Sequence, residues 1–561
     1  MDTFDTTVLV VGAGPTGMTA SLALTRLGVP HLVVERRSGH GRTPAAHAVN
    51  ARTFEIFRQL GADMAAIDRA CQSPADAGFV HFVDRLGDEP FGTLPYERQG
   101  DDVRALTPTP LRNLSQHLLE PLLLESLRRA GAPAPRFGCE WLAGVQDDAG
   151  VTSRLRGADG GEFAVRSRWL LAADGAASPV RKSVGIEPVG PARIQSFVMI
   201  HFAADLRPVV SDRPGVLYWV FAPGACGTFV SHGLEREWVF MHAWDPERES
   251  VDSYDEARCA GLVRAAMRRP DVPFTVRTIS TWAMTCQVAA SYRCGRIFLA
   301  GDAAHRFPPS GGLGLNSGVQ DAHNLAWKIA LVESGGAGAA LLDSYEAERR
   351  PVAQANADQS LQNALRMLEV FEALGHGSDP VESRRQMDLA LASAEGRARI
   401  AAAVANQAEH FDMLGLQLGF SYAEGAIVAD GTAAERAENP ARGFIPGCRP
   451  GARLAHGWVE RRGATLSTLD LVPPDRFVLF VGPGGGDWLA QARAAELPLA
   501  IVRWGEDVVD PDGWWTAVAA MQPGGAILVR PDQHVAARAQ AATNGLLDRW
   551  LAAILAREPV Q

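Results

Sequence analysis

The chain of 561 residues contains no run of 18 or more apolar residues, so no transmembrane helix is expected. Its N-terminus carries two acids, Asp2 and Asp5, and no basic residue. The apolar Val8–Val11 that follows is too short for the core of a secretory signal, so a cytoplasmic protein is expected. Cysteine is scarce. The seven (Cys71, Cys139, Cys226, Cys259, Cys286, Cys294, Cys448) are scattered and odd in number, and no CxxC occurs. That spacing speaks against a disulfide framework, a zinc site and a dithiol redox centre, and no metal site is expected. Excess positive charge is missing too: the net charge of −10 argues against a nucleic-acid partner. What the chain does have is 47% hydrophobic residues, enough for a packed core spread over two or three domains.

The pattern along the chain points to an α/β (mixed) fold. Residues 7–35 read as strand, glycine turn, helix and strand, with the β-branched run Val8–Val11 as a buried parallel strand. A long helix is expected over residues 107–131, stopped by Gly131. Between about 190 and 285, short aromatic and β-branched runs (VLYWVF, GTFVSH, EWVFMHAW) alternate with Gly/Pro turns, as in an antiparallel sheet. Helical patterning returns at 318–333 and, alanine-rich, at 338–408. After a linker rich in Gly, Pro and charge, strands are expected at Phe477–Val481, Leu499–Val502 and Ala526–Val529, interleaved with helices. The expected division is a discontinuous dinucleotide-binding domain (1–78, 105–180, 286–400), a β-sheet substrate domain (79–104, 181–285), and a linker with a C-terminal α/β domain (401–561).

Three motifs carry chemistry. Gly12-Ala13-Gly14-Pro15-Thr16-Gly17 follows a strand and opens a helix. Gly12 allows the tight turn, Gly14 admits a pyrophosphate close to backbone, and Gly17 lets helix and strand pack closely. Glu35 stands at the spacing of a ribose-hydroxyl acceptor, which favours FAD or NAD over NADP; Arg36 is its neighbour at the adenosine end. In the second motif, Gly301-Asp302-Ala303-Ala304-His305 follows the apolar Ile297–Ala300 and runs into Pro308-Pro309-Ser310-Gly311-Gly312-Leu313-Gly314-Leu315-Asn316. Asp302 can accept hydrogen bonds from a ribityl chain. The glycine-dense loop can set backbone N–H groups and a helix N-terminus against a flavin carbonyl oxygen. His305 reads as structural. The third motif, Asp174-Gly175-Ala176-Ala177-Ser178 with Arg181, would alone be an ordinary turn.

Together these motifs resemble those of the para-hydroxybenzoate hydroxylase family, the single-component FAD-dependent aromatic monooxygenases. His47–Leu60 and Gln116 add to the match, and the C-terminal LSTLDLV and GGAILVRPDQHVAAR resemble the thioredoxin-like domain of the phenol, dichlorophenol and aromatic-polyketide hydroxylases. The resemblance implies a Rossmann-like FAD-binding domain, a β-sheet substrate domain and a thioredoxin-like C-terminal domain. It implies that Gly12, Gly14, Gly17 and Glu35 hold the ADP half of a non-covalent FAD. Asp302 would hold the ribityl and pyrophosphate region, with Gln116 alongside, and Pro309, Gly314, Leu315 and Asn316 would border the isoalloxazine. Asp174 and Arg181 would serve both FAD and an NADPH or NADH donor, which needs no second GxGxxG. One departure stands out: Ala45 occupies a position where many relatives carry a flavin-facing arginine, a role open to Arg42 or Arg52. With no cysteine after Cys448, the C-terminal domain is expected to be structural or oligomeric, and a homodimer is one such possibility.

The implied chemistry is reduction of FAD by NAD(P)H, addition of O2 at flavin carbon 4a, and transfer of OH from the resulting hydroperoxide to an aromatic carbon. For substrate activation the candidates are Tyr218 and His232, with His242 a third and Pro309 at the flavin edge; Trp219, Phe221 and Trp244 could wall the site. Few carboxylate clamps are evident, so the expected substrate is phenolic or polycyclic and polyketide-like. Two alternatives stay open: Baeyer–Villiger or oxidative ring-cleavage chemistry on the same scaffold, and a non-catalytic binding protein. No WxWxIP segment of the flavin-dependent halogenases occurs.

Overall fold

The computed structural model describes residues 3–557 apart from Ala434, Glu496 and Pro498. Its first layer is a parallel sheet. Thr3–Val11 lies between Glu162–Ala172 and His31–Glu35; Ile297–Leu299 extends the sheet on one side and Arg136–Phe137 on the other. Val8, Leu9 and Val10 are fully buried, which is why this strand reads as an unbroken apolar run. Helix Pro15–Arg26 packs against helices Leu313–Glu333 and Gln116–Ala130, sealing one face. The expected helix from 107 begins only at Gln116, because Pro108 and Pro110 remove backbone donors and hold that stretch extended. Its C-terminus is as expected: Gly131 caps it in the left-handed region, at φ 74°.

The second layer is a seven-stranded sheet in the order Thr275–Met284, Gln195–Ala203, Trp238–Trp244, Gly227–Ser231, Leu217–Val220, Phe79–Val83, Gly92–Pro95. All neighbours are antiparallel except Leu217–Val220 with Phe79–Val83. Strand alternation gives the sheet two unlike faces. Val198, Ile200, Tyr218, Val220, Trp238 and Phe240 form a closed core with Val263 and Met267 of helix Glu256–Met267. The other face carries Leu217 and Trp219, which pack with Ala48, Tyr96, Leu111 and Val216. Of the span 286–400 expected in the dinucleotide domain, helices Leu368–Ala373, Pro380–Ala392 and Ala394–Ala405 instead bury Val370, Met387, Ile400 and Val404 against Val80, Phe82 and Phe221 of this second sheet.

The C-terminal domain has Phe477–Val481 parallel to Leu499–Arg503, then Ala526–Val529 and Val535–Ala539 as an antiparallel hairpin, with helix Leu546–Ile554 last. A strand–helix–strand unit followed by a hairpin and a helix is the thioredoxin-like arrangement. A buried ionic cluster fastens this domain to the rest. Glu55 of helix Ala51–Gln59 accepts hydrogen bonds from Arg453 (Nε, 2.7 Å), Arg52 (3.1 Å) and Thr107 (2.6 Å). Arg52 also donates to Gln533 Oε1 (2.7 Å) and to the Asp532 carbonyl (2.8 Å). Beyond it, Arg530 pairs with Glu348 and Asp532, and Lys328 with Glu348, all out of contact with water.

Candidate active site

The glycine turn is dictated by contact. A Cβ on Gly12, whose φ is 108°, would lie 2.1 Å from the Ala173 carbonyl oxygen, and one on Gly17 would lie 1.9 Å from the Gly12 oxygen. Gly14 is different: nothing stands within 4 Å of where its Cβ would be, so the open side of the turn is free for a ligand. Glu35 ends the second strand. Its Oε2 accepts from the Ala13 N–H (2.9 Å), and its Oε1 accepts from the backbone N–H (2.9 Å) and Nε (3.1 Å) of Arg37. Burial opposes its ionisation, but the bonds from Arg37 and Ala13 outweigh that and hold the carboxyl below its ordinary range. The basic residue placed here is therefore Arg37; Arg36 is exposed to solvent.

The two aspartate motifs meet at the ends of neighbouring strands. Asp174 Oδ2 accepts from the Val180 N–H at 3.1 Å, while its Oδ1 is buried without a partner. Burial raises its carboxyl. Asp302 is exposed, and its carboxylate takes no hydrogen bond from the described residues. Arg181 joins the motifs: its guanidinium donates to the Ala303 carbonyl (2.9 Å) and to that of Ala176 (3.4 Å). His305 is structural, as read. Its Nε2 meets Asp321 Oδ2 at 2.8 Å, and Asp321 also accepts from the Gly301 N–H and from Arg349 Nε.

The loop from Pro308 ends on the N-terminus of the 21-residue helix Leu313–Glu333. Gly311 and Gly312 have φ of 114° and 62°, conformations that side chains resist. Pro309 is exposed; Gly314 and Leu315 are half-buried, and nothing stands within 4 Å of a Gly314 Cβ. Asn316 points inward. Its Oδ1 accepts from Asn50 N (3.0 Å) and Thr53 Oγ1 (2.7 Å), and its Nδ2 donates to the Ala48 carbonyl (2.9 Å) and the Gly312 carbonyl (2.5 Å). The side chain is spent on holding the loop. Gln116 Nε2 donates to Glu120, whose Oε2 accepts from the Gly41 N–H. Ala45 is exposed. Arg52 cannot take the place of an arginine there, because its guanidinium faces the C-terminal domain; Arg42 is exposed.

The residues expected to activate a substrate separate by strand parity. Tyr218 is fully buried on the closed face, and its hydroxyl donates to the Arg213 carbonyl at 2.9 Å. His242 lies on that face as well, against Tyr254, with Nδ1 on the Cys226 carbonyl. Phe221 is fully buried in the aromatic cluster with Phe82 and Phe371, and Trp244 packs edge-on against Tyr254. Of this set, Trp219 and His232 lie toward the dinucleotide domain. Trp219 is half-buried, its indole N–H unpartnered, and His232 Nδ1 is hydrogen-bonded to Ser115 Oγ beside Gln116. One residue escaped sequence reasoning. Glu97 is buried with left-handed backbone (φ 53°), and its Oε2 accepts from the Met413 N–H (3.1 Å) and Gln417 Nε2 (2.9 Å). Burial pushes its carboxyl up to about 8. Met413 in turn touches the Gly311 backbone, so Glu97 braces the same loop.

These features fit an FAD. The open side of Gly14, the unpartnered Asp302, the orphaned Asp174 oxygen and the free start of helix Leu313–Glu333 lie along one parallel sheet, at the carboxyl ends of its strands, where such folds take dinucleotides. The site and fold therefore define an FAD-dependent oxidoreductase.

Comparison with known proteins narrows the class. Residues 5–360 match the model of an FAD binding domain family, and residues 448–557 match that of the aromatic-ring hydroxylase C-terminal domain. The chain belongs to the FAD-dependent aromatic-ring hydroxylases, flavoprotein monooxygenases. It is 33% identical to a 2,4-dichlorophenol 6-monooxygenase of Delftia acidovorans, over 98% of this chain and 97% of that protein. It is 36% identical to the aklavinone 12-hydroxylase RdmE of Streptomyces purpurascens, over 96% of each. The solved structure of the flavin-dependent monooxygenase PieE with FAD and substrate superposes with a TM-score of 0.93, at 36% identity, covering 99% of this chain and all of the other.

Proposed function

We propose that this enzyme uses NAD(P)H and O2 to hydroxylate a phenolic ring, and that its substrate is a polycyclic aromatic of polyketide type. The observation that carries the substrate class is the face of the seven-stranded sheet turned to the flavin loop. Along it stand Met199, Met241, Leu217, Trp219, Val230 and Val239, with the two methionines and Trp219 still partly open to solvent. Methionine and tryptophan give a broad, polarizable and adaptable wall, suited to fused rings. At one end of it His201 and Glu237 are paired with each other (2.8 Å), and the described residues named along this face include no arginine fork for a small carboxylate. The match to hydroxylases of dichlorophenol and aklavinone supports the same reading.

When bound, FAD supplies the redox and oxygen-activating chemistry. The protein's tasks are to hold it, to orient the ring and to manage protons. Gly12, Gly14 and Gly17 with Glu35 would hold the ADP half, and Asp302 the ribityl chain. The N–H groups of Gly314 and Leu315, at a helix N-terminus, would face the ring's carbonyl edge and favour negative charge there. Asn316 and Glu97 position that loop. Tyr218, with its hydroxyl engaged in the core, has no part in this assignment.

The test is stopped-flow reduction of the FAD-bound protein by NADPH and NADH across a panel of phenols and polyketide quinones that includes 2,4-dichlorophenol and aklavinone. A substrate should accelerate flavin reduction and yield a product heavier by one oxygen with its rings intact. An oxygen inserted into a ring would make the enzyme a Baeyer–Villiger or ring-cleavage oxygenase. A colourless protein without NAD(P)H oxidase activity would refute an enzymatic role.

A further inference from the structure

Tyr96 is fixed along its ring and at its backbone, yet its hydroxyl is bonded to no described residue. It follows strand Gly92–Pro95, the last of the seven-stranded sheet. Its ring stacks on that of His47 (centroids 6.2 Å apart, planes at 27°) and lies 6.3 Å from that of Phe411. Its N–H donates to the Gly78 carbonyl (2.8 Å), and its carbonyl accepts from Gln99 Nε2 (2.9 Å). The next residue is Glu97, whose left-handed backbone (φ 53°) is locked by the bonds from Met413 and Gln417 to its carboxyl. Side chains resist that conformation, so only a tightly built turn keeps it. The turn stands where the open face of the sheet meets the flavin loop. Tyr96 shares an apolar cluster with Leu217 and Trp219 of the sheet and with Ala48, and a Cβ on Gly312 of the flavin loop would lie 2.6 Å from that of Ala48.

The free hydroxyl sets Tyr96 apart from the other tyrosines. Tyr96 is only 5% exposed, and a tyrosine buried to that degree normally finds a partner for its hydroxyl. Tyr218, Tyr254 and Tyr345 do so, on the Arg213 carbonyl, Glu249 and the Leu299 carbonyl. Tyr292 does not, but its hydroxyl is sealed inside the core, whereas that of Tyr96 is not sealed. The small open part of Tyr96 therefore includes its polar tip. Trp219, in the same cluster, carries a second unpartnered donor in its indole N–H.

We propose that the Tyr96 hydroxyl donates a hydrogen bond to a carbonyl oxygen of the substrate and so fixes where a fused ring system lies against the flavin loop. The electrostatics agree. Burial, then the neighbouring Glu97 carboxyl, push the Tyr96 phenol far above its ordinary pKa, so it keeps its proton and serves as a donor. Burial also lowers the pKa of His47, which leaves the stacked pair neutral. A neutral donor in a dry corner suits a carbonyl oxygen; a carboxylate would call for a charged partner. Tyr96 gives up no proton and forms no covalent bond. It sets specificity: a ring bearing a ketone or quinone oxygen gains the bond, and the same ring without one leaves the hydroxyl unpaired. This rests on the polycyclic, polyketide-like substrate proposed above and narrows it to rings that carry a carbonyl.

The test compares two ligands of one shape, 2-hydroxyanthraquinone and 2-hydroxyanthracene, titrated calorimetrically into the oxidised, FAD-bound protein without NAD(P)H. The wild type should prefer the quinone, and Tyr96→Phe should cut that preference about 10-fold. Tyr218→Phe, on the closed face, should keep the preference. Infrared difference spectra supply a readout that a purely structural role would not move. A carbonyl stretch of the quinone bound to wild type should fall below its frequency in an apolar solvent, and should rise again in Tyr96→Phe. The wild-type spectrum alone tests the contact if the variant loses its fold. An unchanged preference in the FAD-bound variant, or a carbonyl stretch that binding does not lower, would overturn the contact while leaving the monooxygenase reading intact. If neither three-ring compound binds, the polycyclic substrate falls and the contact with it. If the preference shifts as expected but no ring compound accelerates flavin reduction, the contact stands and the monooxygenase reading falls.

Discussion

Glu55 is the side chain whose replacement should reveal how the C-terminal domain supports the flavin site. It is fully buried between Arg453 of the C-terminal segment and Arg52 of its own helix. Burial alone would raise its carboxyl; the guanidinium of Arg453, then that of Arg52 and the Thr107 hydroxyl, reverse this and hold it at about 2 instead of 4.5. A depression of that size corresponds to about 3 kcal/mol of stability at neutral pH. The sign follows from the direction. The contribution is complete above pH 4.5 and is lost as pH falls toward 2. Glu55→Gln keeps the shape but leaves two buried cations without their anion, a loss of about 3–5 kcal/mol. Helix Ala51–Gln59 carries Thr53 and is capped by Asn50, and both groups bond to Asn316 in the flavin loop. Undocking should therefore be felt at the cofactor. Hydrogen exchange read by mass spectrometry should show peptides covering 51–59 and 530–535 opening about 100-fold faster in the variant, since 3 kcal/mol is a little over two decades. FAD should be released at a lower temperature. Exchange within threefold of wild type, with unchanged FAD release, would show that the buried cluster does not hold the domain.

Three further outcomes follow from the same geometry. Asn316→Ala removes four hydrogen bonds and should weaken FAD binding by roughly 10- to 100-fold in a fluorescence titration of the apoprotein, at about 1 kcal/mol per bond with partial compensation; unchanged affinity would mean the loop needs no brace. Glu97 keeps its proton in the folded state up to about pH 8, so wild-type stability declines as pH rises from 4.5 toward 8. Glu97→Gln should abolish that slope and gain about 3 kcal/mol at pH 7, measured by chemical denaturation with FAD bound; a parallel pH dependence in the two proteins would contradict it. Tyr218→Phe should cost about 1 kcal/mol of stability and leave the rate of flavin reduction within twofold of wild type.

Much of this architecture is written in local pattern. The run Val8–Val11 could only be a strand buried on both faces, and Gly12 and Gly17 each meet a contact that only glycine satisfies, while Gly14 keeps the outer side of the turn open. Phe477–Val481 and Ala526–Val529 form strands with the bounds their apolar runs predict. What stayed hidden is what depends on which face or which distant partner a residue meets. Tyr218 and Trp219 are adjacent, yet parity sends one into a closed core and the other toward the cleft. Arg52 sits among flavin-loop residues in sequence but turns to Gln533, 481 positions away. Glu97 gave no signal, because its character comes from burial against Met413 and Gln417, more than 300 residues on.

As proposed above, this enzyme places an oxygen atom from O2 on a phenolic ring through a bound FAD. Turnover of a reduction-accelerating phenol under 18O2, with NAD(P)H supplied, tests it directly. The product should carry one 18O on an aromatic carbon, with the carbon skeleton intact. An unlabelled product, or one with the label inside a ring, would contradict it.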